Sequence, residues 1–270
     1  MTIEQCVLAL QLEGFCVQQG VIPADEVAAV RKSVEATLDA AGGRIEGSTF
    51  INHNQALAPY LGDQRVLGVA QAVFGPHTRI GATSALMQEP NPDAGPSKPG
   101  NYHVDWPFGQ GIGSYVPAPI PNITMNLPSF FMLTDFTQEN GATIVVPGSH
   151  RSKQNPNGDP SLSYARQSEI QVTAPAGSVL IFDGRLWHKG GSNYSRGRRL
   201  FCGISYVPWW LNCHARRPNC VEHRIQKDAG YQPTGHWPFV KAEVFDKLPD
   251  HVKPLFRHWV DREWQKDAHE

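Results

Sequence analysis

The sequence predicts a mainly β chain with flanking helices, and two observations carry this prediction. Between residues 78 and 207, short apolar runs of strand length alternate with clusters of Gly, Pro, Asn and Asp, as in antiparallel strands joined by turns. Before and after that region, apolar residues recur at helical spacing. Many short strands with such punctuation favour a jelly roll or cupin-like barrel. We therefore expect N-terminal and C-terminal helices packed outside a barrel whose interior can house a site.

The expected elements follow in chain order. Residues 23–40 predict an amphipathic helix that ends before a glycine pair, and residues 63–74 predict a second helix, stopped by Gly75 and Pro76. The expected strands span residues 79–88, 102–106, 123–134, 142–146, 170–173, 178–182 and 199–207. Residues 241–266 return to helical spacing, with breaks expected at Pro249 and Pro254. The 270 residues fit one domain, residues 1–270, with the barrel core at about 78–208 and a C-terminal extension at 209–270.

Composition and charge narrow the classes of function. The formal net charge is −1, and Lys and Arg never form a run longer than two residues, which disfavours nucleic acid and anionic membranes as partners. No segment approaches about 18 uncharged apolar residues, and the first residues lack a basic region before an apolar stretch. We therefore expect a soluble, cytoplasmic protein without a signal peptide or membrane span. The five cysteines lack a metal-binding knuckle, which fits free thiols in a reducing compartment.

The most informative motif is His103-Val104-Asp105, together with His188, which lies 83 positions after the aspartate. In an extended strand, residues i and i+2 point to the same face, so one short stretch can offer an imidazole and a carboxylate to one metal ion. Two histidines and one carboxylate on one face of an octahedron leave three positions open, as in non-haem Fe(II) oxygenases. Zinc more often occupies a closed tetrahedron or keeps a single open position. Because a short His-x-Asp motif is common by chance, its interpretation depends on context.

Arg199 supplies part of that context. It lies eleven residues after His188, where the next antiparallel strand could bring it into the same cavity. A planar guanidinium can clamp a carboxylate through two parallel hydrogen bonds. Since side chains alternate along a strand, Arg198 should face the opposite side and be solvated. A register shift of one residue would exchange the two roles.

Three segments together resemble the phytanoyl-CoA dioxygenase family, in the family's order along the chain. They are His103-Val104-Asp105, Asn140-Gly141 followed by Val146-Pro147-Gly148-Ser149-His150, and His188 with Gly190, Asn193, Ser195 and Arg199. The resemblance runs from about residue 14 to residue 208. It implies a double-stranded β-helix that binds Fe(II) and 2-oxoglutarate and uses O2. The reaction that it implies is a dioxygenase reaction with release of succinate and CO2.

The resemblance also implies roles for individual residues. It makes His103, Asp105 and His188 the catalytic iron ligands, and it makes Arg199 the partner of the far carboxylate of 2-oxoglutarate. In related halogenases a small residue stands at the position of Asp105. The aspartate therefore favours hydroxylation or a related oxidation.

Three further polar residues receive less specific interpretations. Asn101 lies two residues before His103 and, on the same strand face, could donate to the cosubstrate; a turn at the strand end is the alternative. Thr143 is a candidate of the same kind. His150, in the Pro-Gly-Ser-His segment, is interpreted as structural rather than as a ligand.

Aromatic side chains indicate the class of substrate. Phe108 and Tyr115 lie on a Pro- and Gly-rich segment at 107–121 that directly follows the His-x-Asp motif and is either a lid or disordered. Phe130 and Trp209 are the other candidate substrate contacts, with Trp209 at the mouth of the barrel. An apolar pocket with few charges favours a small hydrophobic or amphipathic metabolite.

Two other classes of function compete with the oxygenase. A cupin-type binding protein would hold a metal in the same barrel without turnover, and a zinc isomerase or hydrolase would use similar ligands. Neither class needs a carboxylate clamp eleven residues after the distal histidine. Arg199 is therefore the residue that discriminates among the three classes, and it favours the oxygenase.

Overall fold

The computed structural model describes residues 1–45, 49–98, 100–105, 119, 121–154, 156, 168–211, 220–228, 230 and 239–260. The strands in these ranges are β1 (Phe15–Gln18), β2 (Arg44–Ile45), β3 (Arg79–Gln88), β4 (Leu127–Met132), β5 (Ile144–Val145), β6 (Ile170–Gln171), β7 (Val179–Phe182), β8 (His188–Lys189) and β9 (Arg199–Val207). The α-helices are α1 (Ile3–Leu12), α2 (Ala24–Ala40), α3 (Gln64–Phe74), α4 (Val221–Asp228), α5 (Ala242–Phe245) and α6 (Lys253–Phe256).

The described strands form two antiparallel sheets. In the larger sheet the order is β1-β7-β4-β9-β3-β2, and in the smaller sheet it is β6-β5-β8. Every pair of neighbouring strands in both sheets runs antiparallel. Neighbours such as β3 and β9 are far apart in sequence, as in a jelly roll. The predicted mainly β fold with jelly-roll sheets is therefore confirmed.

Most of the expected strands lie at or inside their predicted limits. β3 and β9 match residues 79–88 and 199–207, whereas β4, β5, β6 and β7 are shorter than predicted. The strand expected at 102–106 is wrong in extent, because His103 alone pairs there, in an isolated bridge with His188, and residue 106 lies outside the described ranges. The short strands β1, β2 and β8 are additional to the prediction.

The long pair of β3 and β9 sets the axis of the larger sheet. Arg199 pairs with Gln88 at one end, and Val207 pairs with Arg79 at the other. A rise of about 3.3 Å per residue separates the two ends by roughly 26 Å. Residues near Arg199 and residues near Val207 therefore belong to opposite ends of the sheet.

The helices α2 and α3 confirm the two predicted N-terminal helices. The side chain of Asp63 caps α3 by accepting a hydrogen bond of 2.9 Å from the amide of Arg65. Helix α1 is additional to the prediction. Its first turn is closed reciprocally, because the Thr2 hydroxyl accepts from the Gln5 amide and the Gln5 side chain accepts from the Thr2 amide.

One hydrophobic cluster joins the helices α1, α2 and α3, the larger sheet and the C-terminal segment from Val240 onward. The indole N–H of Trp259 donates to the carbonyl of Ile80 at 2.6 Å, and the hydroxyl of Tyr206 donates to the carbonyl of Leu61 at 2.8 Å. Two short strands outside the predicted barrel core of 78–208, β1 and β2, pair within the larger sheet, and residues beyond 208 pack against its core.

The C-terminal segment contains short helices rather than one long helix. Helix α5 ends before Pro249, as predicted, but Pro254 lies in the first turn of α6. A proline is tolerated there because the N–H that it lacks would have no partner within the helix. Residues 261–266 lie outside the described ranges. Within those ranges, no helix combines the length and the apolar character that crossing a membrane requires.

Gly141 closes a tight turn beside the smaller sheet. Its φ of 79° lies in the left-handed region, and a Cβ atom there would stand 2.4 Å from the carbonyl oxygen of Gly191. Left-handed strain alone costs a non-glycine residue about 1–2 kcal/mol. We expect Gly141→Ala to lower the free energy of unfolding by about 2 kcal/mol or more, because the steric clash adds to that strain.

Gly20→Ala is the matched control for this prediction. Gly20 has a φ of 64°, but a Cβ atom there would meet nothing within 4 Å. The control therefore carries the backbone cost without the clash. Urea titrations measure both variants, and equal losses of stability would contradict the role of the contact with Gly191.

Candidate metal centre

Three side chains that can bind a metal ion meet at one point: His103, Asp105 and His188. Their ligand atoms all lie within 4.8 Å of one another, and no other such group occurs in the part of the chain that the structure describes. Oδ1 of Asp105 is 3.6 Å from Nε2 of His188 and 3.8 Å from Nε2 of His103. Adjacent ligands around an ion with bonds of about 2.1 Å stand roughly 3 Å apart. Small side-chain rotations would therefore bring all three onto one ion.

Backbone pairing holds the distant parts of this set together. The His103 amide donates to the His188 carbonyl at 2.9 Å, and the reverse bond is 3.0 Å long. The two imidazole rings consequently stand side by side, with centroids 4.1 Å apart. The amide of Asp105 donates to the carbonyl of Gly184 at 2.8 Å, which ties the carboxylate residue to the turn before β8. The isolated bridge between His103 and His188 therefore brings the ligand candidates together, a role that the sequence prediction gave to a strand at 102–106.

The ring of His188 is held in one orientation. Its Nδ1 lies 2.9 Å from the carbonyl oxygen of Leu186, and because a carbonyl can only accept, Nδ1 carries the proton. In the neutral ring, Nε2 would then be the nitrogen with the free lone pair, and it faces Asp105. A hydrogen bond at the far nitrogen fixes the tautomer in the same way in metal-binding histidines. The ring is buried and packs against Phe182, with centroids 4.7 Å apart.

Burial shapes the protonation of the set. It lowers the pKa of His103 to about 3, with the neighbouring His188 as the second cause, although 48% of the His103 side chain is still exposed. Burial also raises the pKa of Asp105, against the opposing effect of His188. His103 is therefore neutral at pH 7, which is the form that binds a metal ion, and a divalent cation would offset the desolvation of the carboxylate.

The three side chains line a cavity of about 740 Å³. This volume lies within the range of about 300–1,000 Å³ that is typical of small-molecule sites. Its apolar lining comes mainly from the larger sheet and includes Ala85, Leu86, Met87, Phe130 and Phe201. Its other polar and charged lining residues are Arg44, Ser84, Gln88, Glu89, Thr143, Lys189 and Arg199.

Arg199 is deeply buried in the wall of this cavity. It is 3% exposed, and its Nε and Nη1 atoms have no hydrogen-bond partner among the described residues. Its guanidinium carbon lies 5.0 Å from the ring centroid of Phe136 and 5.5 Å from that of Phe201. Burial lowers the pKa of Arg199 to about 10, so the group is charged at pH 7. A buried charge with unsatisfied donors is costly unless an anion pairs with it, and the site therefore fits a ligand that carries a carboxylate.

Arg198 faces the other side of the strand. Its guanidinium lies 3.3 Å from Glu35, 3.0 Å from Asp39 and 3.0 Å from Glu89. Ion pairs of this exposed kind contribute little to stability. The two adjacent arginines thus have different surroundings, which is the alternation expected along a strand.

Two of the other predicted site residues also line the cavity. Thr143 is buried in its wall, and the ring of Phe130 lies 4.5 Å from that of Phe201. Phe108 and Tyr115 lie outside the described residues. Their predicted substrate contacts stay predictions.

Asn101 and Trp209, two of the predicted site residues, are not among the residues that line this cavity. Asn101 is exposed and has a φ of 59°, next to Gly100 with a φ of 99°, so the chain turns there and Asn101 does not continue a strand face. The alternative interpretation of Asn101, as a turn residue, fits the structure. Trp209 is 52% exposed and lies beyond the Val207 end of β9, where it lines a different cavity with Arg79. Strand β9 ends about 26 Å from Arg199, so Trp209 lies at the other end of the sheet from the metal-ligand candidates and not at the mouth of their cavity.

Several cavity residues are absent from the predicted site, and Gln88 and Lys189 are two polar examples. Gln88 stands opposite Arg199 in the sheet; its Nε2 donates to the Gly191 carbonyl at 3.0 Å, and its buried Oε1 has no partner among the described residues. Lys189 is buried, and its Nζ lies 3.4 Å from Glu169. The position of Lys189 beside a metal-ligand candidate was a signal in the sequence, whereas Gln88 required the register of β3 against β9.

Two antiparallel sheets, together with a cavity that contains a metal-ligand set and a buried arginine, define a jelly-roll protein suited to a metal ion and a carboxylate ligand. The chain belongs to the phytanoyl-CoA dioxygenase (PhyH) family, whose model matches residues 10–201. The family resemblance of the sequence is therefore confirmed. The matched range contains the three metal-ligand candidates and Arg199.

Individual relatives match shorter stretches or share the fold. Dioxygenase andF from Emericella variicolor is 35% identical over 94 residues, which are 35% of this chain and 29% of that protein. The chain spans about a quarter of the length of the curated relatives that it matches. The crystal structure of EctD from S. alaskensis with bound Fe has a TM-score of 0.60 at 21% identity, over 77% of each chain. HygX from Streptomyces hygroscopicus, with nickel and 2-oxoglutarate bound, has a TM-score of 0.58 at 18% identity, over 78% of this chain and 89% of that chain.

Proposed function

We propose that this protein is an Fe(II)- and 2-oxoglutarate-dependent dioxygenase that hydroxylates a small hydrophobic or amphipathic metabolite and releases succinate and CO2. One observation carries the proposal: the buried guanidinium of Arg199, with two unpaired nitrogen atoms, lines the same cavity as His103, Asp105 and His188. A metal site alone would account for the three ligands. The additional buried arginine is charged, and it favours a ligand with an anionic group that can pair with it.

His103, Asp105 and His188 would hold the metal. Two imidazoles and one carboxylate are the donor set of non-haem Fe(II) oxygenases, and they leave positions for a cosubstrate and O2. Iron(II) bound there would supply the activation of O2, with 2-oxoglutarate as the reductant. The chain keeps His188 in the tautomer that presents Nε2, and it orients Asp105 through the amide bond to Gly184.

Arg199 would bind the far carboxylate of 2-oxoglutarate. A guanidinium can form two parallel hydrogen bonds to a carboxylate, and such a pair is strong where the rings of Phe136 and Phe201 exclude water. Arg199 lines the cavity, so a carboxylate bound there would stand beside its charged guanidinium. Thr143, in the same cavity wall, is a candidate donor to the cosubstrate.

The relatives support the same chemistry. The family model is described as phytanoyl-CoA dioxygenase, and andF is named a dioxygenase. EctD was crystallised with Fe, and HygX was crystallised with nickel and 2-oxoglutarate. These are properties of those proteins. The proposal extends them to this chain because its own side chains offer a metal-ligand set and an anion-binding group in one cavity.

The lining of the cavity supports a small and largely apolar substrate. Leu86, Phe130 and Phe201 lie in its wall, and its volume of about 740 Å³ has room for 2-oxoglutarate and a second small molecule. Asp105 occupies the ligand position that halogenation would leave open to a halide, which favours hydroxylation. We propose that the chain works as one domain, because the helices, the larger sheet and the C-terminal segment share a hydrophobic cluster.

A cupin-type protein that binds a metal without turnover is the alternative function. Such a protein needs the three ligands but no carboxylate clamp. A buried arginine with unpaired donors would then only destabilise the fold. Arg199 therefore favours the enzyme.

Anaerobic titration of the metal-free protein with Fe(II) and then with 2-oxoglutarate tests the proposal. We expect a weak visible charge-transfer band when both are bound, because the keto acid chelates the metal through two oxygen atoms. Succinate is the matched control, since it keeps two carboxylates but lacks the keto group and should give no band. A protein that binds Fe(II) but develops no band, and that consumes no 2-oxoglutarate in air, would be the binding protein instead.

A further inference from the structure

One turn contacts two members of the candidate metal site. The carbonyl of Gly184 accepts the hydrogen bond from the Asp105 amide at 2.8 Å, and the carbonyl of Leu186 lies 2.9 Å from Nδ1 of His188. The shape of the turn at 183–187 therefore sets the positions of two ligand candidates that come from separate parts of the sequence. The two charged side chains in this turn are not among the residues that would hold the metal ion or 2-oxoglutarate.

These two side chains, Asp183 and Arg185, form a buried ion pair across the turn. They are 3% and 6% exposed, respectively. Oδ1 of Asp183 accepts from the backbone amide and from Nε of Arg185, each at 2.9 Å, and Oδ2 accepts from Nη2 at 2.7 Å. The carboxylate thus binds the guanidinium through both oxygen atoms and fixes the backbone between the two residues at the same time.

The ion pair also anchors the turn to the segment that precedes β4. Nη1 of Arg185 donates to Oδ1 of Asn122 at 2.9 Å and to the carbonyl of Pro121 at 3.2 Å. The hydroxyl of Thr124 donates to Oδ2 of Asp183 at 2.6 Å. A shift of the turn would therefore break hydrogen bonds of the two buried charged side chains, Asp183 and Arg185, which is costly for groups with so little access to water.

We propose that Asp183 and Arg185 are positioning residues for the metal site, whose ion pair holds the turn in the shape that places Asp105 and His188 around one ion. This inference rests on the proposed function, because it concerns the same ligands. A buried ion pair is rarely a net source of stability, since desolvation of both charges offsets much of their attraction. The ion pair here would fix the positions of the ligands. Groups that orient metal ligands contribute about 10–100-fold to metal affinity.

The chain contains a matched control in Asp63 and Arg65. This aspartate also accepts from the amide and from Nε of an arginine two residues later, both at 2.9 Å, and from its Nη2 at 2.5 Å. Arg65 is 45% exposed, and its guanidinium donates to the carbonyls of Gly20 and Val21. The two pairs share their local geometry, but they differ in burial and in what their turns contact.

Binding of Co(II) to the full chain tests the proposal, by calorimetry for the affinity and by the visible spectrum for the geometry of the ligands. Arg185→Ala should weaken the Co(II) affinity about 10-fold or more and change the visible bands. Arg65→Ala should leave both unchanged. The spectrum separates positioning from stability, because a less stable protein with an intact site keeps its bands. If Arg185→Ala does not fold, Arg185→Lys is measured in the same way, since it keeps the charge and loses the two-oxygen contact.

Wild-type affinity and spectrum in a folded Arg185 variant would overturn the proposal. An equal loss of affinity in Arg65→Ala would also overturn it, because the effect would then follow from general destabilisation. A wild-type chain that binds no Co(II) would overturn the metal site itself and the proposed function with it. The two failures are therefore distinguishable.

Discussion

Replacement of His188 by alanine is expected to abolish the absorption band of the Fe(II) and 2-oxoglutarate complex, together with the metal-dependent consumption of 2-oxoglutarate. His188 is the buried histidine of the ligand set, and the contact between its Nδ1 and the Leu186 carbonyl presents its Nε2. Loss of a group that only orients a ligand costs about 10–100-fold in metal affinity, and loss of the ligand itself should cost more. Difference spectra at increasing Fe(II) and saturating 2-oxoglutarate measure the effect.

His150→Gln is the matched control for this substitution. His150 is also buried, but its Nε2 lies 3.2 Å from the carbonyl oxygen of Gln11, and it is not part of the ligand set. We expect this variant to keep the band, although its free energy of unfolding should fall because a buried hydrogen bond is altered. A full band and full turnover in His188→Ala would remove His188 from the ligand set and end the interpretation of the site as a facial triad.

Strand length explains part of the difference between predicted and missed strands; β5, β6 and β7 are also short, but they lie inside longer segments with strand-like sequence. β3 has a burial pattern that alternates along most of its ten residues, so its strand character is visible without knowledge of its partners. β1, β2 and β8 are two to four residues long and become strands only because distant segments pair with them, as β7 does with β1. Local preference carries little weight over so few residues. Helix α1, by contrast, had a local signal in the capping pair of Thr2 and Gln5.

The candidate site could be predicted where chemistry, rather than tertiary geometry, identifies a residue. The types and spacing of His103, Asp105 and His188 are visible in the sequence, and the structure brings the three together. The interpretation of Asn101 as a cosubstrate contact assumed a continuous strand two positions before His103, and the turn at this residue interrupts it. Gln88 could not be found without the register of β3 against β9, which depends on the whole sheet.

Arg199→Met is expected to change 2-oxoglutarate binding and protein stability in opposite directions. Removing one partner of a buried charge pair costs about 3–5 kcal/mol. This corresponds to a rise of roughly 10²–10⁴-fold in KM for 2-oxoglutarate, while Fe(II) binding should persist. Without 2-oxoglutarate, the same change replaces a desolvated guanidinium with unpaired Nε and Nη1 atoms by an apolar side chain. Ligand-free Arg199→Met should therefore unfold at a higher temperature than the wild type.

Arg198→Met is the matched control on the neighbouring residue. Arg198 pairs at the surface with Glu35, Asp39 and Glu89, so its loss should leave KM near the wild-type value and the unfolding temperature unchanged or slightly lower. Succinate formation at varied 2-oxoglutarate, and thermal unfolding with and without it, measure both quantities. If Arg199→Met destabilised the ligand-free protein and left KM unchanged, Arg199 would be a structural residue of the sheet, because the two opposite effects arise together only when a bound ligand supplies the partner that the protein does not.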